Sequence, residues 1–190
     1  MKRLTYLLVI ALFSASACEK KGDPTEEEQA DKANFPTSTV GNNKIRVLET
    51  TSGASTPEVE YDLDYLLVTS KTSDGKAQTI ILPTSTGPNL TIVLSEGIPT
   101  KSTVFDLENM FTGGKNGVTL SRGSTYSSVN GYKLYVRKNS NGTTTFFFNE
   151  LDLKGTLNRS QKTSVKFTIP ATLEINTESP AEAKNFLVGE

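Results

Sequence analysis

The 190-residue sequence contains no histidine, no tryptophan and one cysteine, Cys18. A lone cysteine forms no internal disulfide, no Cys/His zinc site and no cysteine-ligated cluster. Without histidine the chain lacks the commonest general base near neutral pH, and the imidazole ligand of haem or copper. Ser-His-Asp and Cys-His nucleophilic arrangements are therefore excluded. A Ser–Lys arrangement has little support: Ser73-Asp74-Gly75-Lys76 has SxxK spacing but reads as an Asp-Gly hairpin turn and not the start of a helix, and Ser70-Lys71 and Lys101-Ser102 are immediate neighbours. The absence of tryptophan removes the broadest platform for stacking a sugar, although six tyrosines are present. Concentrated positive charge is missing as well. The formal charge is −1, and no basic run offers the density of Lys and Arg that phosphate backbones require, so nucleic acid is not an expected partner.

What is present begins at the N-terminus. Lys2 and Arg3 precede an apolar stretch, Leu4–Phe13, and then the small residues Ser14–Ala17. That order is the signature of a secretory signal peptide. The apolar stretch is too short to cross a bilayer as a helix, which needs roughly 20 residues. Ala15-Ser16-Ala17-Cys18 resembles the lipobox of bacterial lipoproteins, with Ala15 where that family usually has leucine. The resemblance implies cleavage before Cys18 and acylation of its sulfur. Lipid membrane is then a partner through Cys18, because each buried CH₂ of an acyl chain contributes on the order of 0.8 kcal/mol. The alternative is a secreted protein cut near Ala17, with Cys18 incidental.

Residues 19–43 are polar and carry Pro24, Pro36, Gly22 and Gly41, with only Phe35 and Val40 as sizeable apolar groups. Such a stretch buries too little surface to offset the entropy of ordering it. The expected organisation is a signal peptide over 1–17, a lipidated flexible tether over 18–43 and a folded domain over 44–190. The acid-rich run after Cys18, including Glu26-Glu27-Glu28, is similar to the tethers of Bacteroidota surface lipoproteins. That likeness implies the outer membrane, at the cell surface or its periplasmic face.

From Lys44 the pattern is one of short alternating strands separated by turn residues, with no sustained helical period. Val59, Tyr61, Leu63 and Tyr65 alternate with carboxylates, and Leu66-Leu67-Val68 extends the run. Asp74-Gly75 and Asn141-Gly142 are hairpin-turn dipeptides. Strands are expected at Ile45–Thr50, Ala77–Leu82, Leu90–Leu94, Val118–Ser121, Tyr132–Lys138, Thr143–Asn149, Leu151–Leu157 and Thr163–Ile169, with Thr172–Ile175 beyond Pro170. Thr103–Met110 and Ala181–Leu187 are possible helical excursions. The expected fold is all-β: an antiparallel β-sandwich or small barrel of about eight to ten strands. The segment from Gly123 to Ile175 resembles the closing meander of small β-sandwich lipoproteins of unknown function in Bacteroidota, a likeness that implies the fold and brings no catalytic or binding residues.

Several groups invite a chemical reading. Glu58, Glu60, Asp62 and Asp64 share one strand face, as a cation site or the footprint of a cationic partner, or else as a solvated edge strand whose charges block pairing with another chain or a face paired with lysines opposite. One straight strand does not converge the six to eight oxygens that calcium takes. Asp62 and Asp64 also meet loosely the separation of a glycosidase pair, without a cleft to mark them. Phe146-Phe147-Phe148 is either an exposed aromatic patch or a strand buried on both faces. Gly113–Gly117 lacks phosphate-loop spacing and precedes a strand. Tyr126, Tyr132 and Tyr135 are candidates for a binding surface, and the loops Ser52–Pro57, Ser95–Thr100 and Thr112–Gly117 for a contact surface. No catalytic, cofactor or metal residue emerges. The expectation is a non-enzymatic envelope lipoprotein that binds a protein or a glycan or serves as an accessory subunit. The alternatives are a carrier of a hydrophobic ligand between sheets and a hydrolase using carboxylates alone.

Overall fold

A computed structural model describes residues 35–51, 54–156 and 159–170. The signal peptide, Cys18, most of the tether, and the strand and helix expected at Thr172–Ile175 and Ala181–Leu187 lie outside the described residues. Among the described residues there are twelve strands and one 3-10 turn, Met110–Thr112. In chain order the strands are β1 (Lys44–Thr51), β2 (Ala54–Ser55), β3 (Val59–Asp62), β4 (Leu67–Lys71), β5 (Ala77–Leu82), β6 (Asn89–Leu94), β7 (Thr103–Asp106), β8 (Asn116–Arg122), β9 (Ser124–Ser128), β10 (Lys133–Lys138), β11 (Thr143–Lys154) and β12 (Arg159–Pro170).

The fold is all-β and antiparallel, as expected, and its strands form one curled sheet with the shape of a half-barrel. The ladder runs β2-β1-β12-β11-β9-β8-β6-β5-β4. It forks at two places. β3 joins β1 through residues Lys44–Val47 beside the shorter β2 pairing. β11 pairs β10 through Thr144–Phe147 and β9 through Leu153 and Lys154, and β10 carries β7 on its far side.

A bulge in β11 makes the second fork possible. The register against β12 slips between Phe148 and Leu151, so β11 spends one more residue than its partner. Phe146 and Phe148 face inward before the slip, and Leu151 and Leu153 after it, all four essentially inaccessible to solvent. An extra residue bends the strand and strengthens its twist, which turns β11 from one branch of the sheet towards the other. Glu150 adopts φ 46° there.

Inside the curl one continuous core joins every major strand, from Ile45 and Val47 through Leu82, Ile92 and Leu120 to Val165, Phe167 and Ile169. Phe146 and Phe167 are register partners and stack with ring centroids 4.8 Å apart. Each such large side chain contributes roughly 1.5–3 kcal/mol when fully buried. The three consecutive phenylalanines are all buried: two enter this core, and Phe147 lies on the outer face beneath Tyr135 and Phe35.

Three expectations change in detail. The run expected from Val59 to Val68 breaks into β3 and β4, because the chain changes partners between them. Leu63 donates its N–H to Asn43 O at one side of the corner and Asp64 donates to Pro83 O at the other, while Leu63 and Leu66 plug the interior. Thr103–Met110 is β7 followed by the approach to the 3-10 turn, not a helical excursion. Its residues Thr103 to Asp106 pair with Val136 to Lys133, which satisfies backbone groups that a helix would have paired internally. The end of the tether is also not free. Phe35 packs on Tyr135, Val40 is buried, and Asn149 joins the segment by accepting from Thr39 N–H and donating to Thr37 O. Two apolar side chains and one bridging amide hold residues 35–43 on the sheet, so the folded unit begins before Lys44.

Candidate functional site

Antiparallel pairing dictates which polar side chains meet at the open end of the half-barrel. On β1 the inward positions are Ile45, Val47 and then Glu49; on β12 they run Phe167, Val165, Thr163 and then Gln161. Glu49 and Gln161 are direct register partners. The apolar inner face thus ends in a carboxylate and an amide, side by side. On β3, Tyr61 and Val59 stand opposite Ile45 and Val47 and complete the wall.

Val47, Glu49, Val59, Tyr61 and Gln161 line a pocket of about 240 Å³ together with Thr56, Pro57, Pro88 and Arg122. Two aromatic rings stiffen it. The Tyr61 hydroxyl accepts a hydrogen bond from Arg122 Nη1 at 2.8 Å, and the guanidinium lies 5.8 Å from the ring centroid. Tyr126 donates its hydroxyl to Glu49 Oε1 at 3.0 Å. Burial, with that carboxylate acceptor beside it, raises the Tyr126 phenol above its ordinary range. Two glycines admit the rings: a Cβ at Gly87 would lie 2.6 Å from the Tyr61 ring, and one at Gly155 would lie 2.8 Å from that of Tyr126.

One side chain of the lining stands out. Gln161 is 5% exposed, and its Oε1 is buried without a hydrogen-bond partner. An unmet acceptor of this kind costs roughly 1–3 kcal/mol, so folding alone gives no reason to keep an amide there.

The groups singled out in the sequence fall elsewhere. Glu58, Glu60 and Asp62 are on the outer face, answered across the ladder. Lys44 lies 3.2 Å from Glu60 and 3.0 Å from Asp62, and Arg46 lies 3.2 Å from Glu60 and 3.9 Å from Glu58. The charged-face reading of the stripe therefore describes these three carboxylates. The two acids raise the Lys44 ammonium above its usual pKa, with the Asp62 hydrogen bond the larger cause. Asp64 sits past the end of β3, at the corner, and is not part of the paired row. Among the described residues no group of three or more acidic or cysteine side chains has the arrangement to hold a metal ion.

The three tyrosines do not form a surface together. Tyr126 is in the core, Tyr132 donates to Asp152 Oδ2 at 2.5 Å, and Tyr135 stacks on Phe147 with centroids 5.1 Å apart. The hydrogen bond to Asp152, with burial second, raises the Tyr132 pKa. The nominated loops separate as well. Thr56 and Pro57 of Ser52–Pro57 reach the pocket. Ser95–Thr100 and Thr112–Gly117 lie at the other end of β6 and β8, where Ser95 N–H donates to Asn116 Oδ1. Gly113 caps the 3-10 turn in the left-handed region, and β8 follows the loop.

Glu49, Arg122 and Gln161 were not singled out from the sequence. Each interrupts an otherwise ordinary strand, and only the register brings them to one place. In chemical terms the pocket lining combines a carboxylate, an amide whose oxygen is buried without a partner, a guanidinium, and the apolar Val47, Val59, Pro57 and Pro88. Compared with protein-family models, curated proteins and solved structures, the chain finds no match in any of the three.

Proposed function

We propose that this chain is a non-enzymatic binding module, held at the outer membrane by acyl chains on Cys18, which takes its ligand in the mouth of the half-barrel. The observation that carries the reading is Gln161, which lines a concave site beside Glu49 and keeps its Oε1 buried without a hydrogen-bond partner. A polar group left unmet in the free protein has a use when a ligand supplies its partner, and barrel mouths are common places for such sites. Binding is favoured over catalysis because the pocket holds one carboxylate and no base-activated nucleophile. It is favoured over storage of a hydrophobic molecule because the described pocket carries a carboxylate, an amide and a guanidinium in its lining. The lipid anchor rests on the Ser14–Cys18 sequence and places the module at the cell surface or the periplasmic face.

Thermal unfolding of the full-length chain in detergent, screened against a library of small polar compounds, tests the reading. A ligand that binds only the folded state raises the midpoint in proportion to the logarithm of its concentration. Hits that lose their effect in Gln161→Leu support the mouth as the site; hits confined to fatty acids, or indifferent to Gln161, overturn it. Labelling cells with an alkynyl fatty acid, with and without Cys18→Ala, tests the anchor separately.

A further inference from the structure

We infer that the mouth pocket takes a zwitterion of amino-acid size, its ammonium group on Glu49 and Gln161 and its carboxylate on Arg122. The inference rests on the binding reading above and names its ligand. Glu49 and Gln161 bring two neighbouring acceptor side chains to the pocket lining. As direct cross-strand partners, Glu49 and Gln161 carry Cβ atoms about 4.5–5.5 Å apart. An ammonium group has three donors and no acceptor, so it suits a carboxylate and an amide oxygen in neighbouring positions. The Gln161 amide turns about a broad terminal torsion, which lets its oxygen meet a donor arriving in the pocket.

The same lining supplies the complementary charge. Arg122 ends β8 and is exposed, and its hydrogen bond to Tyr61 engages one of its two terminal nitrogens. A guanidinium presents five N–H donors in a planar fork matched to a carboxylate. Arg159, also near Tyr126, lies 3.5 Å from Ser124 Oγ and does not line the pocket. The rest of the lining includes Val47, Pro57, Val59 and Pro88, apolar groups that suit a ligand's carbon skeleton. The volume of about 240 Å³ falls below the roughly 300–1,000 Å³ of drug-sized sites, which limits the occupant to a single small molecule.

A neutral sugar fits less well. It would stack on an open aromatic face, whereas the Tyr61 ring lies under Arg122 and against the Gly87 turn. Its hydroxyls also have no need of opposite charges in the site.

The experiment is calorimetric titration of the full-length chain in detergent with free amino acids of small and medium side chain, their N-acetyl forms, their amides, and neutral monosaccharides. Free amino acids bind, and blocking either end weakens binding at least tenfold, because each blocked form leaves one charged group of the site unmet. Arg122→Gln erases the preference for the acid over its amide and retains the preference over the N-acetyl form; Gln161→Leu weakens binding of the free acid. Equal binding of free and blocked forms overturns the inference. Gln161-dependent binding of a monosaccharide without any amino acid also overturns it, yet leaves the mouth standing as a binding site. If the wider library also gives no Gln161-dependent ligand, the binding reading itself falls.

Discussion

Glu49 and Gln161 face each other across the β1–β12 ladder, one satisfied by Tyr126 and the other with its buried carbonyl oxygen unmet. The pair marks where the apolar lining of the half-barrel gives way to polar side chains. It has a thermodynamic consequence that needs no ligand.

Gln161→Leu raises stability. Leucine keeps most of the side-chain volume, adds apolar contact to Val47 and its neighbours in the wall, and removes an acceptor whose desolvation is uncompensated. The expected gain is about 1 kcal/mol, at the low end of the cost of a buried unmet group, or about 2–4 °C in midpoint for a domain of this size. Urea and thermal unfolding measure it. A destabilised variant would mean that the Gln161 amide is held by the fold for its own sake, and not for a ligand. Stability rising while binding falls is the pattern of a site maintained against the interest of folding.

The outer aromatic group is worth more than its position suggests. Phe147 is 3% exposed although it points away from the core, because Tyr135 stacks on it, Phe35 closes over both, and Arg137 lies 5.3 Å from the Phe35 ring and 5.7 Å from that of Phe147. Phe147→Ala therefore costs as a core truncation does, about 3–5 kcal/mol. Phe35→Ala costs about 1–2 kcal/mol, since it removes a half-buried ring from the surface. The double variant loses less than the sum, with a coupling of about 0.5–1.5 kcal/mol. Additive losses would show that residues 35–43 do not pack on the sheet in solution.

How far these features were legible in the sequence follows from what each depends on. The all-β class was readable because alternation at β3, β6 and β12 and the Asp74-Gly75 and Asn141-Gly142 turns are local signals. β9 escaped notice because its strand is Ser-Thr-Tyr-Ser-Ser. Ser127 and Ser128 are buried there as hydrogen-bonding residues, with Ser128 Oγ donating to Glu108 O and accepting from Val118 N–H, and no hydrophobic pattern announces that. The pocket was illegible for a different reason. Glu49, Tyr61, Arg122 and Gln161 come from four strands, and only ladder register and the curl of the sheet place them around one space. The acidic stripe was conspicuous in the sequence and its charged-face reading holds for Glu58, Glu60 and Asp62, but which residues answer it, Lys44 and Arg46 more than ten positions away, followed only from the ladder.

Those ion pairs contribute little and are sensitive to salt. Arg46→Glu places a like charge opposite Glu60 and loses about 1 kcal/mol or less at low ionic strength, an effect that shrinks in high salt as screening shortens the reach of exposed charges. Millimolar Ca²⁺ leaves the unfolding midpoint unchanged, because the carboxylates form a row with lysine and arginine partners and do not converge on one point. A calcium-dependent rise in midpoint that disappears in Asp62→Asn would restore the cation reading of the stripe.

The alkaline limit of stability tests the Tyr126–Glu49 contact. Burial first, and the carboxylate second, raise the Tyr126 pKa above the value near 10 of an unfolded tyrosine. A group whose folded pKa is raised contributes stability that is fully present below the unfolded pKa and is lost as pH rises through the folded one. Tyr126 therefore stabilises the protein up to about pH 10, and that contribution drains away above it. Tyrosinate absorbance followed with pH resolves at least one tyrosine ionising late, together with loss of structure. In Tyr126→Phe the alkaline decline becomes shallower, while stability at neutral pH falls by about 0.5–1.5 kcal/mol for the lost hydrogen bond. Glu49→Gln shifts the same ionisation downward by removing the negative charge and leaves the burial contribution in place. If neither variant changes the alkaline decline, the tyrosine hydroxyl and the carboxylate in the pocket lining are not in contact.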